Sequence, residues 1–285
     1  MYEPNVEKIL NRLGRDDKVL DIGGWARPFN RANYVIDAQP YETRGYFGDP
    51  KMGSVRGWYA PAQGGEREYF SKDTWFQRDL CSHEPFPFRD KEIDFVICSQ
   101  TLEDLRDPLW VCSEMIRVGK RGYIEVPSRL AESSRGIEPN QVGWSHHRWL
   151  IDIADNHISF TMKYHKIHSH WRFSLPARAL RRMAEAARNQ WLFWEGAFGY
   201  SEVTIHGVEC IAAMLEEYVR RHNGYPRWLL DAHRRYRQVS ALAHRARGKI
   251  RFTHSMTERQ TRDELLNACS AGTSSPGSIP RSPAA

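Results

Sequence analysis

Cysteine is scarce: five residues in 285 (Cys81, Cys98, Cys112, Cys210 and Cys269), odd in number, scattered, and without a C-x-x-C pair. That excludes a disulfide scaffold and a zinc knuckle, and the thiols are expected to be reduced and mostly buried. Long apolar runs are missing too. Nothing approaches the roughly 18 consecutive apolar residues of a membrane span. The opening Met1-Tyr-Glu-Pro-Asn-Val-Glu-Lys lacks the basic-then-apolar pattern of a secretory signal, so the expected location is cytoplasmic, with no membrane partner. No Gly-x-Gly-x-x-Gly opens a helix and no Tyr-x-x-x-Lys pair occurs, which weighs against a nicotinamide enzyme.

What is present is an ordinary globular composition, 41% hydrophobic and 27% charged, enough for one large domain with or without an appendage. The net charge of +6 is unevenly spread: residues 1–206 hold 28 basic and 28 acidic side chains, and residues 207–285 hold 13 and 7. The excess reads as a solvated, arginine-rich helix face rather than a nucleic-acid groove.

From residue 1 to about 206, short β-rich runs alternate with helical ones, the pattern of a parallel α/β sheet. Strands are expected at Lys18-Val-Leu-Asp-Ile22, Tyr34-Val-Ile-Asp37, Trp75-Phe-Gln-Arg-Asp79, Ile93-Asp-Phe-Val-Ile-Cys98 and Gly122-Tyr-Ile-Glu-Val126. Helices are expected at about 6–13, 108–118 and 176–188. A glycine-rich excursion (41–72) interrupts the series and has the look of a ligand cover. Residues 128–174, dense in His, Arg and Trp with little periodicity, read as a specificity insertion. Two β runs, 190–194 and 201–206, would add an antiparallel hairpin. Basic helices at 207–253 and a Pro/Ser-rich tail at 254–285, too polar to pack, complete the domain plan.

A strand ending Asp21-Ile-Gly23-Gly24 presents glycine backbone where a ligand can approach. Asp37, sixteen residues on, is placed at the next strand end to accept bonds from a ribose diol, and Asp79 closes a third strand.

Together with the block Pro85-Phe-Pro-Phe-Arg-Asp-Lys-Glu-Ile-Asp-Phe-Val-Ile-Cys-Ser-Gln-Thr-Leu-Glu103, these residues resemble a class I S-adenosylmethionine-dependent methyltransferase of the type 11 group, over about residues 6–127. The resemblance implies a Rossmann-like, seven-stranded, mostly parallel sheet with the hairpin at its edge and C-terminal helices beyond. It implies S-adenosylmethionine as cofactor, with Asp21, Gly23 and Gly24 at its methionine end, Asp37 at the ribose, Asp79 and Leu80 at the adenine, and Ser99 and Gln100 under the sulfonium. The sequence departs from the family where Trp25-Ala-Arg-Pro28 replaces further glycines, putting Trp25 or Arg27 against the ligand. It departs again at Gln100 and Asp104, where the family often has histidine.

Methyl transfer to a hydroxyl needs a base, and Trp144-Ser-His146-His147-Arg-Trp149 follows the fifth strand, so His146 and His147 are the candidates. Tyr41, Arg44, Arg129, Arg135 and Trp144 are candidate contacts for a hydroxylated or anionic small-molecule acceptor, a sugar or secondary metabolite. No metal site is assigned. His165, His168 and His170 have no interleaved carboxylate, and Glu103 with Asp104 read as acids opening a helix. An RNA or polyanion methyltransferase is the alternative, disfavoured because Ser99-Gln-Thr-Leu stands where an amino-methylating Asn-Pro-Pro-Tyr motif would. A second alternative is a binding protein that keeps the fold without catalysis. Helices beyond 209 leave a homo-oligomer open.

Overall fold

The computed structural model describes residues 1–47, 58, 59, 61–222 and, beyond these, 224–226, 228, 229, 231–233, 235, 236 and 239. Gly48, Gly53 and Gly57 of the expected excursion, much of the second basic helix, the 254–285 tail and Cys269 lie outside the described residues. The chain divides into two compact units.

The first unit comprises residues 1–129, 146–161 and 184–202. In chain order it carries α1 (Glu3–Leu10), β1 (Val19–Ile22), β2 (Tyr34–Asp37), β3 (Tyr46–Phe47), β4 (Trp58–Tyr59), β5 (Trp75–Gln77), β6 (Phe95–Ser99), α2 (Pro108–Val118) and β7 (Arg121–Pro127). A short α3 (Arg129–Glu132) leaves it, and β8 (Trp149–Ala154) and β9 (His157–Met162) return to it. After α4 (Ala177–Arg182), which belongs to the second unit, the first closes with β10 (Asn189–Glu195) and β11 (Gly199–Glu202).

The main sheet has six strands in the order β10-β7-β6-β1-β2-β5, parallel except for β10, which pairs antiparallel with β7. This is a Rossmann-like, doubly wound sheet. Its strand order reverses between β1 and β6, and that reversal opens a crevice at the carboxyl ends of the strands. Strands β1 and β6 are buried along nearly their whole length, which is why they read as continuous apolar runs.

Helix α2 shows why the helical segments were legible. Asp107 Oδ1 accepts the Trp110 N–H at 3.1 Å, Pro108 occupies the first turn, and Val111, Cys112, Met115 and Val118 fall on one stripe, all buried. That stripe packs on Leu20, Ile22, Val96, Cys98 and Ile124 of the sheet. Each such side chain contributes about 1.5–3 kcal/mol through burial.

Two expectations are corrected. Among the described residues the main sheet has six strands where seven were expected, and 190–206 is not a hairpin. The chain leaves β10 through Gly196 in the left-handed region (φ 69°), and β11 instead lies parallel to β9 in a separate sheet, β11-β9-β8. Gly199 permits this approach: a Cβ there would stand 2.3 Å from His157 Nδ1. Strands β8 and β9 arise inside the stretch read as lacking periodicity, joined through Asp155 and Asn156, both at positive φ (50° and 56°), the geometry of a tight two-residue turn. The Gln190 side chain on β10 behaves as an extra peptide group toward β8, accepting from Ile153 N (3.1 Å) and donating to Ile151 O (3.0 Å).

The second unit comprises residues 130–145, 162–183 and 203–285. Helix α5 (Val208–Arg221) buries Cys210, Leu215 and Val219, and Glu216 pairs with Arg172 at 2.8 Å. The unit also holds a buried ion pair, Lys163 with Glu132 (2.7 Å), both side chains at most 2% exposed, and Lys163 donates to the Trp144 carbonyl at 2.7 Å. Gly143 (φ 61°) is required beside it, since a Cβ would come within 2.5 Å of Glu132.

Candidate functional site

The carboxyl ends of β1, β2 and β6 bring together Asp21, Gly23, Gly24, Trp25, Asp37, Ser99 and Gln100. Asp21 is 4% exposed and accepts the Phe29 N–H at 2.7 Å. Burial raises its carboxyl to about 7, offset in part by that hydrogen bond and reinforced by the nearby Asp37. Asp37 accepts from Trp25 N on Oδ2 (3.0 Å) and from Gln39 N on Oδ1 (2.8 Å). Burial raises its pKa as well, against the lowering effect of those amides. The Ala38 amide also stabilises the charge, so of the roughly four acceptor positions of a carboxylate Asp37 keeps one for a ligand.

The two glycines are needed by the protein's own packing. At Gly23 (φ 74°) a Cβ would lie 2.2 Å from Thr101 Oγ1, and at Gly24 it would lie 2.4 Å from Asp21 Oδ2. Thr101 is therefore part of this edge, and sequence reasoning missed it because a single threonine after a strand carries no signal. Trp25 is pinned by Nε1 to Thr43 Oγ1 at 3.0 Å.

Ser99 ends β6 with its hydroxyl oxygen buried and, among the described residues, without a hydrogen-bond partner. A buried hydroxyl left unpaired costs about 1–3 kcal/mol, which fits a ligand's presence at this edge. Gln100 follows at φ 55°, unusual for a non-glycine residue. Its N–H donates to Glu125 O (2.8 Å), and its Nε2 donates to Glu125 Oε1 (3.0 Å) and Asn189 Oδ1 (3.1 Å).

The β5 end differs from expectation. The strand stops at Gln77, so Asp79 lies beyond it in a turn, its side chain 57% exposed. Asp79 accepts from Cys81 N (2.8 Å) and pairs with Arg106 (3.1 Å), and these hold its carboxyl below the usual range. Leu80 is buried at 6% exposure. Tyr41 packs edge-on against Trp75, and Arg44 lies 4.0 Å over the Tyr41 ring while pairing with Glu68 at 2.8 Å. Arg129 pairs with Asp152. Arg135 and Trp144 belong to the second unit, where Arg135 donates to Ser174 Oγ at 2.9 Å.

His146 and His147 sit in the first unit beside the turn that follows β6. Arg148 N donates to Glu103 O (2.7 Å) and Trp149 Nε1 to Leu105 O (2.8 Å), tying the two segments together. Both imidazole Nε2 atoms approach one oxygen, Asp104 Oδ1, at 4.0 and 3.8 Å. Glu103 and Asp104 do not open a helix as expected. They lie in the turn before α2, with Glu103 1% exposed, and Asp107 does the capping. In the second unit, His168 Nδ1 accepts from Val142 N (3.2 Å) and His170 Nδ1 from Arg172 N (3.3 Å), and burial lowers the His168 pKa.

Residues 77–199 match the family model of the methionine biosynthesis protein MetW. That stretch runs from the end of β5 to the start of β11. No curated protein matches the chain. Among solved structures, an S-adenosylmethionine-dependent methyltransferase from Mesorhizobium loti is 15% identical over 56% of this chain and 63% of its own, with a TM-score of 0.31. One from Aquifex aeolicus is 18% identical over 44% and 65% (TM-score 0.28). The chain thus spans less than two thirds of the length of these two proteins. One from Methanosarcina mazei is 17% identical over 51% and 85% (TM-score 0.28).

Proposed function

We propose that the chain is an S-adenosylmethionine-dependent methyltransferase acting on a hydroxylated small molecule, a sugar or secondary metabolite, in the cytoplasm. The observation that carries this reading is the pairing of two buried acids, Asp21 and Asp37, on neighbouring strands at the switch point of the sheet, with the unpartnered Ser99 hydroxyl on the third. The residues fit the cofactor. Asp37 has an acceptor position left for a ribose hydroxyl. Asp21, held near neutrality, can become the anion that a cationic ligand favours. Ser99 offers a buried hydrogen-bonding group.

When bound, S-adenosylmethionine supplies a methyl group on a positively charged sulfur, already a good electrophile. What remains for the protein is to align acceptor oxygen and methyl carbon, exclude water and remove the acceptor proton as the oxygen–carbon bond forms. The Asp104, His146 and His147 cluster is the place for that proton, taken on an imidazole nitrogen. The buried thiols Cys81, Cys98, Cys112 and Cys210 suit a reducing compartment.

A second reading, a fold-retaining binding protein, draws on Trp25, whose indole is fastened to Thr43 where the family has open glycine backbone. Calorimetric titration with S-adenosylmethionine and S-adenosylhomocysteine, with NAD as control, tests the proposal. Saturable binding of the first two is expected, and methyl transfer to a hydroxylated acceptor then separates enzyme from binder. Absence of binding to either would overturn it.

A further inference from the structure

The strongest feature not used by the sheet edge is the convergence of Asp104, His146 and His147. Their ligand-capable atoms, one per residue, lie within 4.8 Å of one another. Consecutive residues usually point apart. Here a turn at Ser145 and His146 brings the two imidazoles edge to face, with centroids 4.4 Å apart and planes at 81°, so both Nε2 atoms address Asp104 Oδ1. At 4.0 and 3.8 Å they are too far from that oxygen for direct hydrogen bonds. They are near the spacing that a shared cation imposes, since ligand bonds of about 2.0–2.2 Å place donor atoms roughly 3–3.5 Å apart. The cluster has one well-covered member, the His147 side chain at 7% exposure, and two open ones, His146 at 61% and Asp104 at 42%.

We propose that Asp104, His146 and His147 bind a divalent first-row transition-metal ion, of which zinc is the type. Two imidazoles and one carboxylate form a donor set that suits zinc, iron, cobalt or nickel better than magnesium, which prefers oxygen and water. Three protein ligands leave positions open for water or for an acceptor's oxygens. The hydrogen bonds from Arg148 N to Glu103 O and from Trp149 Nε1 to Leu105 O brace the two ligand-bearing segments against each other. The ion's task rests on the methyl-transfer reading: a hydroxyl bound to it would lose its proton to solvent more readily, relieving the imidazoles of the base role. The site itself does not depend on that reading.

The test uses the full chain, stripped with chelator and then titrated with Zn²⁺ by calorimetry and with Co²⁺ by visible absorption. One equivalent is expected to bind, with a cobalt ligand-field band. Asp104→Asn and His147→Gln are each expected to weaken binding by about tenfold or more. His168→Gln, outside the cluster, is expected to leave it unchanged. Far-ultraviolet circular dichroism checks that each variant is folded. No metal binding, or binding undisturbed by Asp104→Asn in a folded protein, would overturn the site. S-adenosylhomocysteine binding without zinc binding sinks the metal site alone. Zinc binding that obeys the variants without S-adenosylhomocysteine binding supports the site and sinks the methyltransferase reading alone.

Discussion

The β2 end and the β5 end of the same sheet each offer an aspartate in the sequence, yet they are built oppositely. Asp37 is 8% exposed, with two backbone amides on its oxygens and a pKa raised by burial. Asp79 is mostly in water, its charge stabilised by Cys81 N and Arg106. An acid that has given up its hydration gains most from any further hydrogen bond, whereas a hydrated, paired acid gains little. The difference teaches that a strand-end carboxylate is a strong candidate for ligand binding only when the fold has removed its water.

The largest expected effect tests whether the β1 end is as rigid as that contrast requires. Gly23→Ala places a Cβ against Thr101 at a left-handed position, and unfolding by denaturant is expected to show a loss of about 2–4 kcal/mol. A loss near zero would mean that the edge is loose. Next, Asp37→Ala is expected to weaken S-adenosylhomocysteine binding by about 1.5–3 kcal/mol, while Asp79→Ala costs at most about 1 kcal/mol. Equal losses in the two variants would erase the distinction between the ends.

A pH-dependent effect concerns Asp21, whose carboxyl is raised from an ordinary 3.8 to about 7. Because the folded protein holds this proton more tightly than the unfolded chain does, its contribution to stability is greatest below about pH 4 and is lost as pH rises through about 7. Melting temperature in Asp21→Asn should therefore fall less steeply than wild type between pH 4 and 7. Cationic cofactor should also release part of a proton near pH 7, seen as a binding heat that depends on the buffer's ionisation enthalpy. The smallest expected effect is at Arg44, already committed to Glu68 and Tyr41. Arg44→Ala should change stability by about 1 kcal/mol or less, and loss of acceptor binding without loss of stability would return it to the substrate side.

The parallel strands were legible because β1, β2, β6 and β7 are apolar runs between clear punctuation, with helix α2 matching its expected bounds of 108–118. The edge was not, because the fate of 199–206 depends on a tertiary contact, Gly199 against His157, that no local pattern announces. The Asp155-Asn156 turn was a readable signal masked by the surrounding histidines and tryptophans. At the site, Asp21 and Asp37 were legible from spacing. The grouping of Asp104 with His146 and His147 was not, since only folding brings residue 104 beside residues 146 and 147, and in the sequence it stands with Glu103 as an acid opening a helix. The split of 128–174 between two compact units likewise follows from contacts distant in sequence.

Gln190 carries a consequence of another kind. A strand at a sheet margin offers unpaired amides to any extended chain it meets, including the same strand of another molecule. By occupying the Ile153 N–H and the Ile151 carbonyl with its own amide, Gln190 closes that margin from within. Such a plug guards solubility rather than fold or chemistry: Gln190→Leu would leave the strands in place and open them to their neighbours, so that concentrated protein would lose its resistance to self-association before it lost its structure.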